Sequence, residues 1–135
     1  KKLPDLLELD LSNSPDIAQT IAVSCLGLGI ECFLTGLHTL KIKETDRLEA
    51  LNTEITKLGG TIEVTDKTLH LKKRNTPIHK NGNIATYHDH RMAMAFAPLG
   101  LCVPVAIEDA GVVSKSYPDF WEDLKTLGFK QEIIG

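Results

Sequence analysis

The sequence predicts an α/β (α+β) fold built from repeated β-α-β-α-β-β units, and two observations support this prediction. Apolar residues recur at helical spacing in some segments and alternate with polar residues in others, which is typical of helices and strands that follow each other along the chain. Landmarks in the first half of the chain also recur in the second half at a constant distance. The length of 135 residues suits one domain of ordinary size.

The first half predicts the element order β-α-β-α-β-β. The predicted strands are residues 6–11, 31–37, 61–64 and 69–72. The predicted helices are one from residue 17 to near Gly27 or Gly29 and one over residues 48–58. Ser14 is the expected N-cap of the first helix, and Pro15 suits its first position. Gly59 and Gly60 end the second helix.

The second half repeats these landmarks. Asp16 and Asp89 each precede a helix of small and medium apolar residues, and they lie 73 residues apart. Asp46 and Asp119 each precede a further helix and are separated by the same 73 residues. The shared distance predicts an internal duplication.

We expect both copies to belong to a single domain over residues 1–135. The first unit is predicted at residues 1–75 and a second, shortened unit at residues 76–135. In the second unit the predicted elements are a connecting loop at residues 73–88, a helix from Asp89 through Leu99, a strand at residues 103–107 and a helix that begins near Pro118.

Composition excludes some classes of protein and favours others. The chain has 18 acidic and 15 basic residues, so its net charge of −3 argues against binding to nucleic acid. Cys25, Cys32 and Cys102 form no paired motif, which favours reduced thiols in a cytoplasmic protein. No apolar run approaches the roughly 20 residues that a membrane-spanning helix needs. Because the chain begins at Lys1 rather than at Met, we expect it to be a fragment.

Two strings predict a site for a small polyanion. Lys43–Leu48 and Asp89–Met94 each open a predicted helix and place an arginine near its first turn. Helix N-termini carry unpaired N–H groups and partial positive charge, and arginine and lysine add to this attraction for anions. The duplication places the candidate charged groups at equivalent helix starts, so we expect them to face one cleft: Asp16, Lys43, Glu44, Arg47, His90, Arg91 and Lys115.

Each candidate also has a purely structural alternative. Arg47 and Arg91 would bind a carboxylate or phosphate. Alternatively, they would only pair with acids of the same chain: Glu44, Asp46 or Asp89. Asp16 and Glu44 form a candidate acid–base pair, or they would only stabilise helix starts. His88–His90 offers too few ligands at metal spacing, so no metal site is expected.

The chain resembles the C-terminal part of the 5-enolpyruvylshikimate-3-phosphate synthases. The resemblance rests on the strings Ser14–Asp16, Lys43–Leu48, Asp89–Met94 and Val113–Phe120. Members of the family have two domains, each made of three β-α-β-α-β-β units in an inside-out α/β barrel. The resemblance therefore implies that this chain holds about two of the three units of one domain.

The resemblance also implies an activity. The family transfers the enolpyruvyl group of phosphoenolpyruvate to the 5-hydroxyl of shikimate 3-phosphate and releases phosphate. Asp16 would accept the proton of that hydroxyl and contact the shikimate ring, and Glu44 would protonate the methylene carbon of phosphoenolpyruvate. The remaining implied contacts are Arg47, His90, Arg91 and Lys115 to phosphoenolpyruvate, and Lys43 to shikimate 3-phosphate.

Some expectations concern what this chain lacks. Many relatives carry asparagine where this chain has Thr39, which would be a shorter contact to shikimate 3-phosphate. The family also uses residues from its N-terminal part, so we expect the isolated chain to be inactive and to self-associate, and the whole protein to be monomeric. The resemblance implies no cofactor and no metal. The alternatives are a UDP-sugar enolpyruvyl transferase and a non-catalytic anion-binding module.

Overall fold

Strands and helices alternate along the chain as the spacing of apolar residues predicts. The computed structural model describes residues 4–43, 45–80 and 82–132. The strands are β1 (Leu6–Asp10), β2 (Glu31–Thr35), β3 (Ile62–Val64), β4 (Leu69–Leu71), β5 (Gly82–Ile84) and β6 (Val105–Ile107). The helices are α1 (Ala18–Leu28), α2 (Arg47–Lys57), α3 (His90–Phe96) and α4 (Phe120–Thr126). The α/β class is therefore the observed one.

The first four strands form one sheet in the order β1-β2-β4-β3. Strands β1 and β2 are parallel, whereas β4 is antiparallel to both of its neighbours. One face of the sheet is buried. Alternate residues of a strand point to the same side, so the buried residues of each strand are two positions apart. Cys32 and Leu34 of β2 and Leu69 and Leu71 of β4 lie on that face, under α1 and α2.

A second sheet pairs β5 with β6 in parallel. The segment 73–88, which we predicted to be a connecting loop, contains β5, so that prediction was wrong. The strand is only three residues long and includes Gly82 and Asn83, which are typical of turns. Ile84 is its one fully buried residue, so no periodic pattern could reveal it. The helix α3 connects β5 to β6, as α1 connects β1 to β2.

Side chains cap two of the helix starts, whereas Asp119 before α4 makes no side-chain cap bond. The Asp46 carboxylate accepts a hydrogen bond from Glu49 N at the start of α2, and Asp89 accepts one from Arg91 N at the start of α3. Ser14 makes no side-chain cap bond. The chain forms a 3₁₀ turn before α1, and the Ser14 carbonyl oxygen accepts the N–H of Ile17 in place of the side chain.

The first helix and the strand of the predicted second unit also differ from expectation in extent. Helix α3 ends at Phe96 rather than at Leu99, and a 3₁₀ segment follows, because Pro98 has no N–H to continue the α-helical pattern. Strand β6 begins at Val105. The limits of the two units stay a prediction. None of the described helices is long and apolar enough to cross a membrane.

The packing of α1 against α2 and α3 positions the helix starts. Leu26 of α1, Leu51 and Ile55 of α2 and Phe96 of α3 are buried in one continuous core. The 3₁₀ turn before α1 also contacts the 3₁₀ segment His38–Ile42 that leads to α2. These contacts bring the N-terminal ends of the three helices together, and the charged residues cluster there.

Candidate functional site

A buried ion pair joins the starts of α2 and α3. The guanidinium of Arg47 donates from Nε to Asp89 Oδ2 at 2.7 Å and from Nη2 to Asp89 Oδ1 at 3.1 Å. Arg47 is 1% exposed and Asp89 is 0% exposed. Two parallel charge-assisted bonds of this kind are strong and directional. The pair therefore fixes the start of α3 relative to the start of α2.

Asp16 lies at the accessible side of this pair. Its Oδ1 accepts a hydrogen bond from Arg47 Nη1 at 3.1 Å and lies 3.6 Å from Lys43 Nζ. The Asp16 side chain is 40% exposed, whereas that of Arg47 is 2% exposed. The carboxylate thus has two cations on one side and solvent on the other, so it can meet a ligand.

The first residues of α3 complete the cluster. Arg91 Nη1 is 3.4 Å from the backbone oxygen of Asp16, which leaves most of its guanidinium uncommitted to carboxylates of the described chain. The ring Nδ1 of His90 is 4.0 Å from Asp89 Oδ1. These contacts join one contiguous group, which we call the helix-start cluster: Asp16, Lys43, Arg47, Asp89, His90 and Arg91.

The structure separates the two alternatives that the sequence left open for the arginines. Arg47 does pair with an acid, but the pair is buried and bidentate rather than on the surface. Arg91 makes no ion pair with the residues that the structure describes. The side chain of Arg91 is thus the better placed of the two to bind an external anion.

Three predicted site residues lie apart from this cluster or outside the description. The Thr39 hydroxyl is covered and has no hydrogen-bond partner among the described residues. Lys115 is exposed, after the 3₁₀ turn Ala110–Val113. Glu44, the predicted acid, lies outside the described residues. Lys43, by contrast, does join the cluster through its contact with Asp16.

Sequence reasoning missed one acid near the site and left the role of another open. Asp89 is the expected cap of a helix and one of three acids named as partners for Arg47 or Arg91, and the structure selects it as the partner of Arg47. Glu54, which is 0% exposed on α2, was not considered. A charged residue between Leu51 and Ile55, on the apolar face of a predicted helix, is the signal that could have revealed it.

The cluster offers a site for anions. Within residues 4–43, 45–80 and 82–132, no three or more His, Cys, Asp or Glu side chains are grouped so that they could hold a metal ion. Two cations near the start of α2 contact one side of the accessible Asp16 carboxylate, and Arg91 at the start of α3 contacts the backbone oxygen of the same residue. This arrangement can orient an anionic substrate with the cations and move a proton with Asp16.

Comparisons with known proteins agree on one family. The family model for EPSP synthase (3-phosphoshikimate 1-carboxyvinyltransferase) matches residues 3–124. A 3-phosphoshikimate 1-carboxyvinyltransferase of Bacteroides fragilis is 44% identical over 130 residues, and one of Nitrosomonas europaea is 38% identical over 121 residues. These alignments cover 91% and 90% of this chain.

Solved structures give the same result for the fold. An EPSP synthase of Acinetobacter baumannii superposes with a TM-score of 0.78 at 26% identity and covers 90% of this chain. The chain spans about 30% of the Bacteroides relative, 28% of the Nitrosomonas relative and 29% of the Acinetobacter chain. The described sheets and helices thus correspond to part of a larger protein in each relative.

Proposed function

Because the chain belongs to the EPSP synthase family, we propose that it supplies one part of the active site of an enolpyruvyl transferase. The proposed reaction transfers the enolpyruvyl group of phosphoenolpyruvate to the 5-hydroxyl of shikimate 3-phosphate and releases phosphate. The observation that carries this proposal is the helix-start cluster, where Lys43 and Arg47 meet the accessible carboxylate of Asp16.

Asp16 is the proposed acceptor of the hydroxyl proton. Its partial exposure lets the 5-hydroxyl approach, and its cationic neighbours orient the carboxylate. A general base must lie within hydrogen-bond reach of the proton that it takes, and Asp16 is the acid of the cluster that solvent reaches. Lys43, at 3.6 Å from Asp16, is proposed to bind shikimate 3-phosphate on the same side.

Phosphoenolpyruvate is proposed to bind against the start of α3. Arg91 offers a planar fork for its carboxylate or phosphate, and His90 borders the same surface. Lys115 is exposed, and we propose it as a further point charge that binds the same substrate. Arg47 adds positive charge from its buried position, where Asp89 and Asp16 hold it in one orientation.

Glu44 is the proposed acid for the carbon chemistry. A proton added to the methylene carbon creates positive charge at the neighbouring carbon, which the 5-hydroxyl oxygen attacks as Asp16 takes its proton. The bond between that carbon and the phosphate oxygen then breaks and releases phosphate. The carboxylate left on Glu44 takes a proton back from the methyl group, which restores the double bond. Nearby carboxylates stabilise the positive charge that develops.

Thr39 is proposed as a contact to shikimate 3-phosphate. Its hydroxyl has unused hydrogen-bonding capacity among the described residues, which supports the proposal. The hydroxyl is covered, so the side chain would have to turn toward the ligand.

The rest of the proposed active site would come from outside this chain, which spans about 30% of its Bacteroides relative. We therefore propose that the isolated chain is inactive and that a full-length protein containing it, cytoplasmic and monomeric, carries out the reaction. No cofactor takes part in the proposed steps, since phosphoenolpyruvate supplies its own leaving group.

Phosphate release tests this proposal. The full-length protein is given phosphoenolpyruvate with shikimate 3-phosphate, each substrate alone, or phosphoenolpyruvate with a UDP-sugar acceptor. We expect release only with the first pair, and its loss in Glu44→Ala but not in Glu49→Ala, an exposed acid of the same helix start. Release with the UDP-sugar instead, or no release from a folded protein, would contradict the proposal.

A further inference from the structure

Helix α2 carries a second buried charge two turns beyond Arg47. Glu54 is 0% exposed, and it lies seven residues after Arg47, which puts both side chains on one face of the helix. The rise of an α-helix separates them by about 10 Å along its axis. A buried carboxylate is costly unless it is paired and hydrogen-bonded, so its partners indicate why it is there.

The partners of Glu54 are in the segment that precedes α3. Its Oε1 accepts the N–H of Ala85 at 3.0 Å, and its Oε2 accepts the hydroxyl of Tyr87 at 2.5 Å. Lys57 Nζ lies 2.7 Å from Oε1 and also donates to the carbonyl oxygen of Asn83 at 3.0 Å. The pKa of Tyr87 is raised to about 12, mainly by burial of the hydroxyl and secondly by its hydrogen bond to the Glu54 carboxylate. The hydroxyl therefore keeps the proton that it donates.

The turn that leads from these contacts to the helix-start cluster has a strained backbone conformation. Tyr87 and His88 both have φ of 57°, in the left-handed region that residues with a Cβ avoid. Thr86 anchors the turn, because its hydroxyl donates to Glu108 O at 3.1 Å and its carbonyl oxygen accepts Asp89 N at 2.8 Å. Such a conformation persists only where its surroundings hold it.

Helix α2 holds this strained segment at both ends. Glu54 binds its beginning at Ala85 and Tyr87, and Arg47 binds its end at Asp89. The direction in which α3 starts, and therefore the placement of Arg91, depends on both attachments. Only the attachment at Arg47 belongs to the helix-start cluster itself.

We propose that Glu54 is a positioning residue that holds the strained Tyr87–His88 turn, so that α3 presents His90 and Arg91 to phosphoenolpyruvate. This inference rests on the proposed function, and it predicts a larger effect on phosphoenolpyruvate than on shikimate 3-phosphate. Asp16 and Lys43, the proposed contacts to shikimate 3-phosphate, lie outside this turn, and two cations near the start of α2, Lys43 and Arg47, hold the Asp16 carboxylate.

Steady-state kinetics of the full-length protein test the inference. We expect Glu54→Ala to lower kcat/KM for phosphoenolpyruvate by about 10- to 100-fold, the effect of a small misplacement of a binding group. The KM for shikimate 3-phosphate should stay within about twofold, since only the turn before α3 loses its support. Glu54→Gln keeps an acceptor for Ala85 and a polar partner for Tyr87, so it should recover most of the loss.

Two further variants keep the result decisive. Tyr87→Phe removes only the hydroxyl, and we expect it to raise the KM for phosphoenolpyruvate by less than Glu54→Ala does. If Glu54→Ala folds poorly, Tyr87→Phe tests the positioning role on its own. Glu31→Ala is the control, because it also removes a hydrogen-bonded glutamate. Glu31 pairs with His70 at 2.6 Å, and it lies on strand β2 of the first sheet. This variant should leave both KM values unchanged.

The outcomes separate the positioning role of Glu54 from the proposed function. An active wild-type protein whose Glu54→Ala and Tyr87→Phe variants keep their KM for phosphoenolpyruvate, or raise both KM values equally, would overturn the positioning role alone. A folded wild-type protein that releases no phosphate would overturn the proposed function, and the inference with it. A selective rise that Glu54→Gln reverses would support both.

Discussion

Replacing Asp89 by asparagine tests the buried ion pair that connects α2 to α3. The substitution preserves the size of the side chain and one oxygen that can accept the N–H of Arg91, so the helix cap survives. It removes the negative charge that faces the guanidinium of Arg47 at 2.7 Å and 3.1 Å. The effect therefore reports on the charge pair and not on the cap.

The expected magnitude follows from burial. Breaking a buried ion pair by removing one partner costs about 3–5 kcal/mol, because the other charge stays buried without compensation. Asp16 still accepts a bond from Arg47 Nη1, and the asparagine oxygen still accepts another, so the cost belongs at the lower end. We expect a loss of about 3 kcal/mol in the free energy of unfolding, which is a change of roughly 100-fold in the unfolding equilibrium.

Urea denaturation of the chain, followed by circular dichroism and by Trp121 fluorescence, measures this loss. The matched control is Asp46→Asn, since Asp46 also caps a helix through its side chain but pairs with no buried arginine. The control should cost less than about 0.5 kcal/mol, because asparagine and aspartate cap helices about equally well. Equal and small losses in both variants would refute the assignment of a buried charge pair.

Three further predictions concern stability and titration. Arg74 donates to the backbone oxygens of Leu26 and Gly27 at the end of α1, so Arg74→Ala should cost about 1–2 kcal/mol in a urea titration, whereas Lys73→Ala should cost almost nothing. Thr39→Val removes a buried hydroxyl that has no partner among the described residues, and it should raise the melting temperature; a lower one would contradict this reasoning. The raised pKa of Tyr87, about 12 against an ordinary 10.0, means that the folded state favours the protonated form. This contribution to stability is complete below pH 10 and is lost as the pH rises toward 12. Ultraviolet absorbance of the tyrosinate in a Tyr117→Phe background measures the titration of Tyr87. A Tyr87 that titrates near pH 10 in the folded chain would refute the raised pKa.

The sequence predicted most of the elements because their signals are local. The apolar spacing around Leu51 and the glycines after Leu58 determine α2 and its end, and no distant residue is needed to recognise them. Strand β5 escaped prediction for the opposite reason. Three residues that include Gly82 form a strand only because β6 lies beside them.

The helix-start cluster was predictable in its members but not in its bonds. The position of Asp89 before a helix predicted its cap correctly. Its bidentate bond to Arg47 joins residues 42 positions apart, and side-chain distances of that kind depend on how α1 packs against α2 and α3. The same is true of Glu54, whose partners lie 31 and 33 positions further along the chain.

The most direct test of the central claim is the single-turnover rate of the full-length protein with Asp16→Asn. Asparagine keeps the shape of the side chain but cannot accept the proton of the 5-hydroxyl, so we expect transfer to slow by about 100-fold or more while shikimate 3-phosphate still binds. Asp46→Asn, which changes a helix cap outside the cluster, should retain the wild-type rate. An Asp16→Asn protein that binds both substrates and transfers the enolpyruvyl group at the wild-type rate would contradict the claim that this cluster carries the reaction.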